Sequence, residues 1–177
     1  MITLVPIADV AQNDVEQLLD EAFGADRHGR TAYRLRAGMA AIGGLSFAAL
    51  EDGSLIGTIQ CWPIELRVDA AHAIPLILVG PVAVRPNRQR DGIGRLLMNA
   101  TLAAADAQDS APMMLIGDPE YYDRFFGFLS GPTAAWEVPG PVQRSRLLAR
   151  ARPGQHLPAQ GRLGPRGLAA ALEREGQ

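Results

Sequence analysis

The sequence contains no lysine; all seventeen of its basic residues are arginine. That excludes a Schiff-base or lysine general-base mechanism, and any phosphate loop that depends on its own lysine. There is one cysteine, Cys61. An internal disulfide and a cysteine-built zinc cluster are therefore excluded, and no metal is expected. Cys61 falls in an apolar, strand-like stretch, where a small buried hydrophobe is the simpler reading than a catalytic thiol. No apolar run reaches the ~18–20 residues of a membrane-spanning helix. No basic start followed by an apolar stretch marks a signal peptide. A cytoplasmic location with no membrane partner is the expectation. The formal net charge is −2, which argues against nucleic acid as a partner, because such binders are usually basic.

What is present is the composition of an ordinary globular protein, 47% hydrophobic and 20% charged over 177 residues. That length suits a single core. We expect one α/β domain over 1–150 and a proline- and glycine-rich extension over 151–177 with a short terminal helix. Ile2 to Ile7 reads as a strand. Asn13 and Glu16 have capping-box spacing ahead of the stripe Val15, Leu18, Leu19 and Ala22, with Gly24 as the C-cap. A loop over 24–30 and a short helix over Thr31 to Gly38 follow. Asp52-Gly53 predicts a tight hairpin between strands at 46–50 and 55–68. Later in the chain, the pattern predicts strands over 113–117 and 130–138 and a helix over 144–150.

The densest signal lies at 76–102. An apolar run over 74–84 reads as a buried strand, and a loop rich in arginine and glycine follows. A helix then begins near Gly92, its apolar face formed by Ile93, Leu96, Leu97, Ala100 and Ala104. A strand, a glycine loop and a helix N-terminus together make an anion cradle. The first N–H groups of a helix have no intrahelical acceptor, and the macrodipole is positive there. Arg85, Arg88, Arg90 and Arg95 add charge, opposed by Asp91 alone. Gly92-Ile93-Gly94 has no third glycine before the helix, so a dinucleotide fingerprint is absent.

Gln89-Arg90-Asp91-Gly92-Ile93-Gly94, preceded by Val82-Ala83-Val84, resembles the Q/R-x-x-G-x-G/A motif of the GNAT superfamily of acyl-CoA-dependent N-acetyltransferases. A second stretch, L-I-G-D-P-E-Y-Y-D-R-F-F-G-F at 115–128, resembles that family's next strand and helix. Here Asp118 and Pro119 have the pattern of an N-cap and first helical residue. The Y-x-R-F-G-F pattern carries one extra phenylalanine, so Tyr122 stands five residues before Gly127. If the extra residue falls in the turn after the helix, Tyr122 keeps the family's general-acid position; if it falls within the helix, Tyr121 competes.

The resemblance implies a central mixed, mostly antiparallel sheet flanked by helices, with strands 74–84 and 113–117 side by side and splayed. It implies acetyl-CoA as cosubstrate, its pantetheine along Val82, Ala83 and Val84. Its pyrophosphate would sit on Gln89, Arg90, Asp91, Gly92, Ile93, Gly94 and Arg95. Transfer to a primary amine by direct attack would use Tyr122 as general acid. The acceptor, a small molecule or a protein, is left open, as is a homodimer. Gly80-Pro81 marks an irregularity in the strand, since proline donates no ladder bond and glycine often marks a bulge. The general base is unassigned; Glu65, Asp69 and His72 are candidates, ahead of His28 and His156. Tyr33, Arg34 and Arg36 are candidates for acceptor contact. Two other readings stay open: an acyl-CoA-binding module without catalysis, and an enzyme with a longer acyl donor or a non-amine acceptor.

Overall fold

The structure, a computed structural model, describes residues 1–167, so the expected terminal helix lies outside the described residues. They form two compact units. The first contains Met1–Gly29, Ala41–Cys61 and Val79–Ser110; the second contains Arg30–Ala40, Trp62–Leu78 and the chain from Ala111. Among the described residues there are eight strands and four α-helices, and the pairing is mostly antiparallel, as expected. No helix among the described residues is long and apolar enough to cross a membrane.

In the first unit, β1 (Ile2–Pro6) pairs antiparallel with β2 (Phe47–Glu51), and β2 with the first half of β3 (Ser54–Arg67). The β2–β3 turn closes with Asp52 at φ 51° and Gly53 at φ 80°, the double positive φ of a type I′ hairpin. Helix α1 (Gln12–Phe23) buries Val15, Leu18 and Leu19 against Ala48, Leu55 and Ala83. Its N-cap is Ala11 and no side chain caps it, so the expected capping box is absent. Glu16 instead pairs with buried Arg27, which also donates to Asp20 at 3.0 Å. This ion-paired arginine fastens the 24–30 loop to α1. Gly24 ends the helix as expected, at φ 94°.

Helix α3 (Ile93–Ala107) buries Ile93, Leu97, Met98, Thr101, Leu102 and Ala105. That stripe is rotated from the expected one, and Leu96 is exposed. Two contacts set the rotation. A Cβ on Gly57 would lie 2.9 Å from an Ile93 methyl and 3.1 Å from one of Leu97, so the helix rests directly on this glycine. Thr101 donates its hydroxyl to the Leu45 carbonyl at 2.9 Å. Cys61 is fully buried, and desolvation pushes its thiol up to about 12.

In the second unit, residues Ala73–Leu78 of β4 (Ala73–Val84) meet β5 (Met113–Ile116) in parallel at two register positions, Ile77–Met113 and Leu78–Met114. Beyond residue 129 the chain departs from expectation. The 130–138 strand shrinks to β6 (Ala135–Glu137), after a 3-10 turn over Gly131–Thr133. The 144–150 helix is a single 3-10 turn, Arg144–Arg146, followed by β7 (Leu147–Arg150), which pairs antiparallel with β5. Leu147, Leu148 and Ala149 are all buried, so β7 is covered on both faces and lacks the alternation that marks a strand. Residues 160–165, expected to be irregular, form β8 (Gln160–Pro165), antiparallel to the end of β3 and parallel to β6. Gly161 makes this pairing feasible, since a Cβ there would lie 2.7 Å from the Leu66 side chain.

Candidate active site

The residues expected to hold an anion all lie in the first unit. At the end of β4, the Arg85 amide donates to the Ile56 carbonyl at 2.9 Å, and its Nε to the Leu55 carbonyl at 2.7 Å. This arginine is a strut between strands. A 3-10 turn over Pro86–Arg88 follows. Arg88 is clamped between Glu51 and Asp91, which raises its own pKa and lowers that of Glu51 through their hydrogen bond. The Asp91 carboxylate therefore serves the loop's own architecture. Gln89, Arg90 and Arg95 are exposed.

Gly92 enters α3 with φ 76° and ψ 12°, a left-handed conformation that only glycine adopts without strain. Nothing lies within 4 Å of where its Cβ would stand. A Cβ on Gly94 would lie 3.9 Å from methyls of Val82 and Val84, so the first turn of α3 stacks on the strand end. Gly80 has φ 122°, and its bond to Pro81 is cis. The sequence reading placed an irregularity here; the positive φ is its backbone form.

The residues expected to carry acid chemistry lie in the second unit. Asp118 accepts from the Glu120 amide at 3.0 Å and starts α4 (Pro119–Phe126), with Pro119 at its first position. Tyr122 is half-buried. Its ring lies across Gly117, where a Cβ would come within 2.5 Å of it and 3.2 Å of a Leu115 methyl. Tyr121 meets it edge-on at 5.0 Å and Phe128 at 6.4 Å. Burial pushes the Tyr122 hydroxyl up to about 12, with Tyr121 adding to the shift and Arg146 opposing it.

Phe125 and Phe126 both lie within α4, whose last residue is Phe126. The Gly127 amide bonds to Asp123 and Tyr122 carbonyls, and Phe128 N–H reaches back six residues to the Tyr122 carbonyl at 3.1 Å. The last turn of α4 is thus one residue wider than an ordinary helix end. Gly127, at φ 73°, closes it.

The base candidates are bound into the framework. Glu65 is buried, accepts from Arg67 at 2.9 Å and from the Gly167 amide at 2.6 Å. Asp69 builds the β3–β4 turn, accepting from the Ala71 and His72 amides and from His72 Nδ1 at 2.9 Å. The Ala71 amide and His72 hold its carboxyl below the ordinary range. Sequence reasoning missed the close approach at Gly117, which was visible as a glycine between an apolar strand and an Asp-Pro helix start.

Residues 6–128 match the family described as the acetyltransferase (GNAT) domain, more than half of the chain. The chain belongs to the GNAT acetyltransferase family. A GNAT family acetyltransferase from Brucella melitensis, solved with acetyl-CoA, is 27% identical. It aligns over 91% of this chain and 93% of its own with a TM-score of 0.64. The GNAT family N-acetyltransferase YhbS from Escherichia coli, solved with CoA, shares the fold at a TM-score of 0.67 and 21% identity. That alignment covers 94% of this chain and 89% of the other. Arabidopsis thaliana Naa50, solved with the bisubstrate analogue CoA-Ac-MVNAL, shares it at 0.54 and 16%, over 85% and 99%. No curated protein sequence matches the chain. The two GNAT motifs of the sequence reading, at 82–94 and 115–128, both fall inside the matched residues.

Proposed function

We propose that this GNAT chain transfers the acetyl group of acetyl-CoA to a primary amine by direct attack, with Tyr122 serving the leaving sulfur. The observation that carries the reading is the Tyr122 ring lying across Gly117, just past the end of β5. The first amides of α3 behind Gly92, with Arg90 and Arg95, fit a pyrophosphate, and the backbone of Val82, Ala83 and Val84 fits the pantetheine amides. The crystallised relative from Brucella melitensis, bound to acetyl-CoA, supports the same cosubstrate here.

Acetyl-CoA supplies an activated thioester: the amine forms a C–N bond to its carbonyl carbon, and the C–S bond breaks. The departing thiolate needs a hydrogen-bond donor. Tyr122, with its hydroxyl raised to about 12, stays protonated at any working pH. An ordinary thiol titrates near 8.5, so complete transfer from the phenol would cost about 5 kcal/mol. Tyr122 therefore acts chiefly as a donor that steadies the thiolate, and solvent completes the protonation. The amine loses its own proton to water, consistent with Glu65 and Asp69 being occupied elsewhere.

Calorimetric titration with acetyl-CoA, desulfo-CoA and a dinucleotide tests the cosubstrate, and thiol release across an amine panel tests transfer. Acetyl-CoA should bind best and be consumed. Tighter dinucleotide binding, or CoA binding without thiol release, would overturn the reading. Gly117→Ala offers a sharper check on the acid. The added methyl must push the Tyr122 ring aside, and an ångström of misplacement costs about 10²-fold. We expect kcat to fall toward that figure while acetyl-CoA affinity holds; an unaltered kcat would remove Tyr122 from the chemistry.

A further inference from the structure

Several arginines of the second unit are tied into its framework. Arg34, on α2 (Thr31–Leu35), donates to the Pro139 carbonyl at 3.1 Å. The Arg36 guanidinium carbon lies 4.1 Å from the Tyr33 ring centroid and 3.7 Å from that of Trp62. Arg144 donates to the Trp136 carbonyl, and Arg166 to the Ile64 and Leu76 carbonyls at 3.2 and 2.7 Å. Arg146 differs from these. It is exposed, and among the described residues its guanidinium has no hydrogen-bond partner, ion pair or aromatic ring.

The fold sets this arginine beside Tyr122. Arg146 ends the 3-10 turn, its amide bonded to the Gln143 carbonyl at 2.9 Å, and β7 starts at the next residue. The β5–β7 register places Leu147 opposite Ile116, so Arg146 falls opposite Gly117. The Gly117 amide donates to the Arg146 carbonyl at 2.9 Å and fixes that pairing. Side chains of directly opposed residues stand on one face of a sheet, about 5 Å apart at Cβ. Gly117 has no side chain, and the Tyr122 ring fills its place. Arg146 therefore leaves the backbone next to that ring. Its charge reaches the phenol. Burial, and then Tyr121, push the Tyr122 hydroxyl up; Arg146 opposes them, and Asp118 adds a smaller rise.

We propose that Arg146 is a positioning residue for acetyl transfer, its charge acting through the Tyr122 hydroxyl to make it a stronger donor to the leaving sulfur. This rests on the acetyl-transfer reading above. As the C–S bond breaks, the sulfur becomes anionic and the phenol O–H shares its proton with it more fully. Partial negative charge then develops on the phenol oxygen. A neighbouring cation favours that charge, and does so chiefly in the transition state. Arg146 forms no bond and takes no proton. Because it is exposed, solvent screens it and its effect is modest. A residue that served packing alone would respond to the shape of its side chain and ignore the sign of its charge.

The test is thiol release at saturating acetyl-CoA, with Tyr122→Phe run in parallel. Arg146→Gln should lower kcat about two- to fivefold, the size of one solvent-exposed charge pair, with the KM for acetyl-CoA held. Arg146→Lys should keep most of the rate, and Arg146→Glu should lose more than Arg146→Gln. Added to Tyr122→Phe, Arg146→Gln should change nothing further, since the hydroxyl it acts through is gone. Salt gives a second readout. At about 1 M the Debye length is about 3 Å, so the parent kcat should fall toward the Arg146→Gln value while that of Tyr122→Phe stays level. Parent-like kcat in Arg146→Gln, equal losses in Arg146→Lys and Arg146→Glu, or a loss that persists in Tyr122→Phe would each overturn the proposal. If Arg146→Gln does not fold, the salt comparison of the parent with Tyr122→Phe decides. No thiol release from acetyl-CoA with any amine overturns the acetyl-transfer reading and takes this proposal with it. Turnover that ignores the charge at position 146 overturns this proposal alone.

Discussion

Replacing Tyr122 with phenylalanine should lower kcat by about 10²- to 10⁴-fold, the range of a positioned acid–base group, and leave acetyl-CoA affinity unaltered. The ring would still lie on Gly117 and against Phe128, so the fold loses one half-buried hydroxyl and no packing. The pH behaviour sets this tyrosine apart from an ordinary acid. Because burial raises it to about 12, kcat/KM should rise with pH as the amine deprotonates and show no fall from tyrosine ionisation up to pH 10. Stability should follow the same group. A pKa raised in the folded state gives stability that is complete below the unfolded value near 10 and is lost as pH climbs toward 12. The loss is about 3 kcal/mol at most, and it should shrink in Tyr122→Phe. Stopped-assay kinetics and alkaline melts check both halves. A Tyr122→Phe enzyme with near-normal kcat, paired with an inactive Tyr121→Phe, would transfer the role to Tyr121.

Gly92→Val should weaken acetyl-CoA binding by about 10- to 100-fold, the equivalent of 1.4–2.8 kcal/mol. The cause is backbone conformation. No protein atom lies within 4 Å of the new Cβ, but a β-branched residue at φ 76° carries about 1–3 kcal/mol of strain. The chain either keeps the strain, and the melting temperature falls, or it unwinds the first turn of α3. Unwinding would misdirect the amides of residues 93–95, the ones assigned to the pyrophosphate. Gly94→Ala is the matched control. Its Cβ would make ordinary 3.9 Å contacts with Val82 and Val84, and alanine gains helix propensity over glycine. It should fold at least as well and bind acetyl-CoA within a few-fold of the parent. Calorimetry on both proteins decides, and normal affinity in Gly92→Val would remove the helix entrance from the cosubstrate site.

The features legible in the sequence were those set by local physics. Asp52-Gly53 takes the positive φ of a hairpin; Asp118-Pro119 starts a helix; Gly24 and Gly127 end helices in conformations that penalise a side chain. Each needs only its neighbours in the chain. The errors came where distant residues decide. Asn13 lost its expected cap because α1 begins at Gln12, while Glu16 is drawn to Arg27, eleven residues on. The buried stripe of α3 turned toward Gly57 and Leu45, contacts no helical periodicity reports. Leu147 to Ala149 read as helix because a strand buried on both faces loses its alternation. At the site, motif spacing placed residues 89–94 at the entrance of α3 and Tyr122 on α4, where the structure has them. It was blind to the division of labour among the arginines. Arg85 and Arg88 are structural, and Arg36 meets Trp62 only through the fold.

Strand β8 carries a consequence for the chain as it is synthesised. Its residues give the Ile64–Arg67 segment of β3 an antiparallel partner and give β6 its only registered partner among the described residues. Until residue 165 has left the ribosome, roughly four residues of β3 present an open ladder, and Trp136 lacks the Pro158 carbonyl that accepts its indole N–H. A nascent or prematurely stopped chain would thus expose a ready template for pairing with another copy of itself. The proline- and glycine-rich stretch, bland as sequence, supplies the strand that covers this edge.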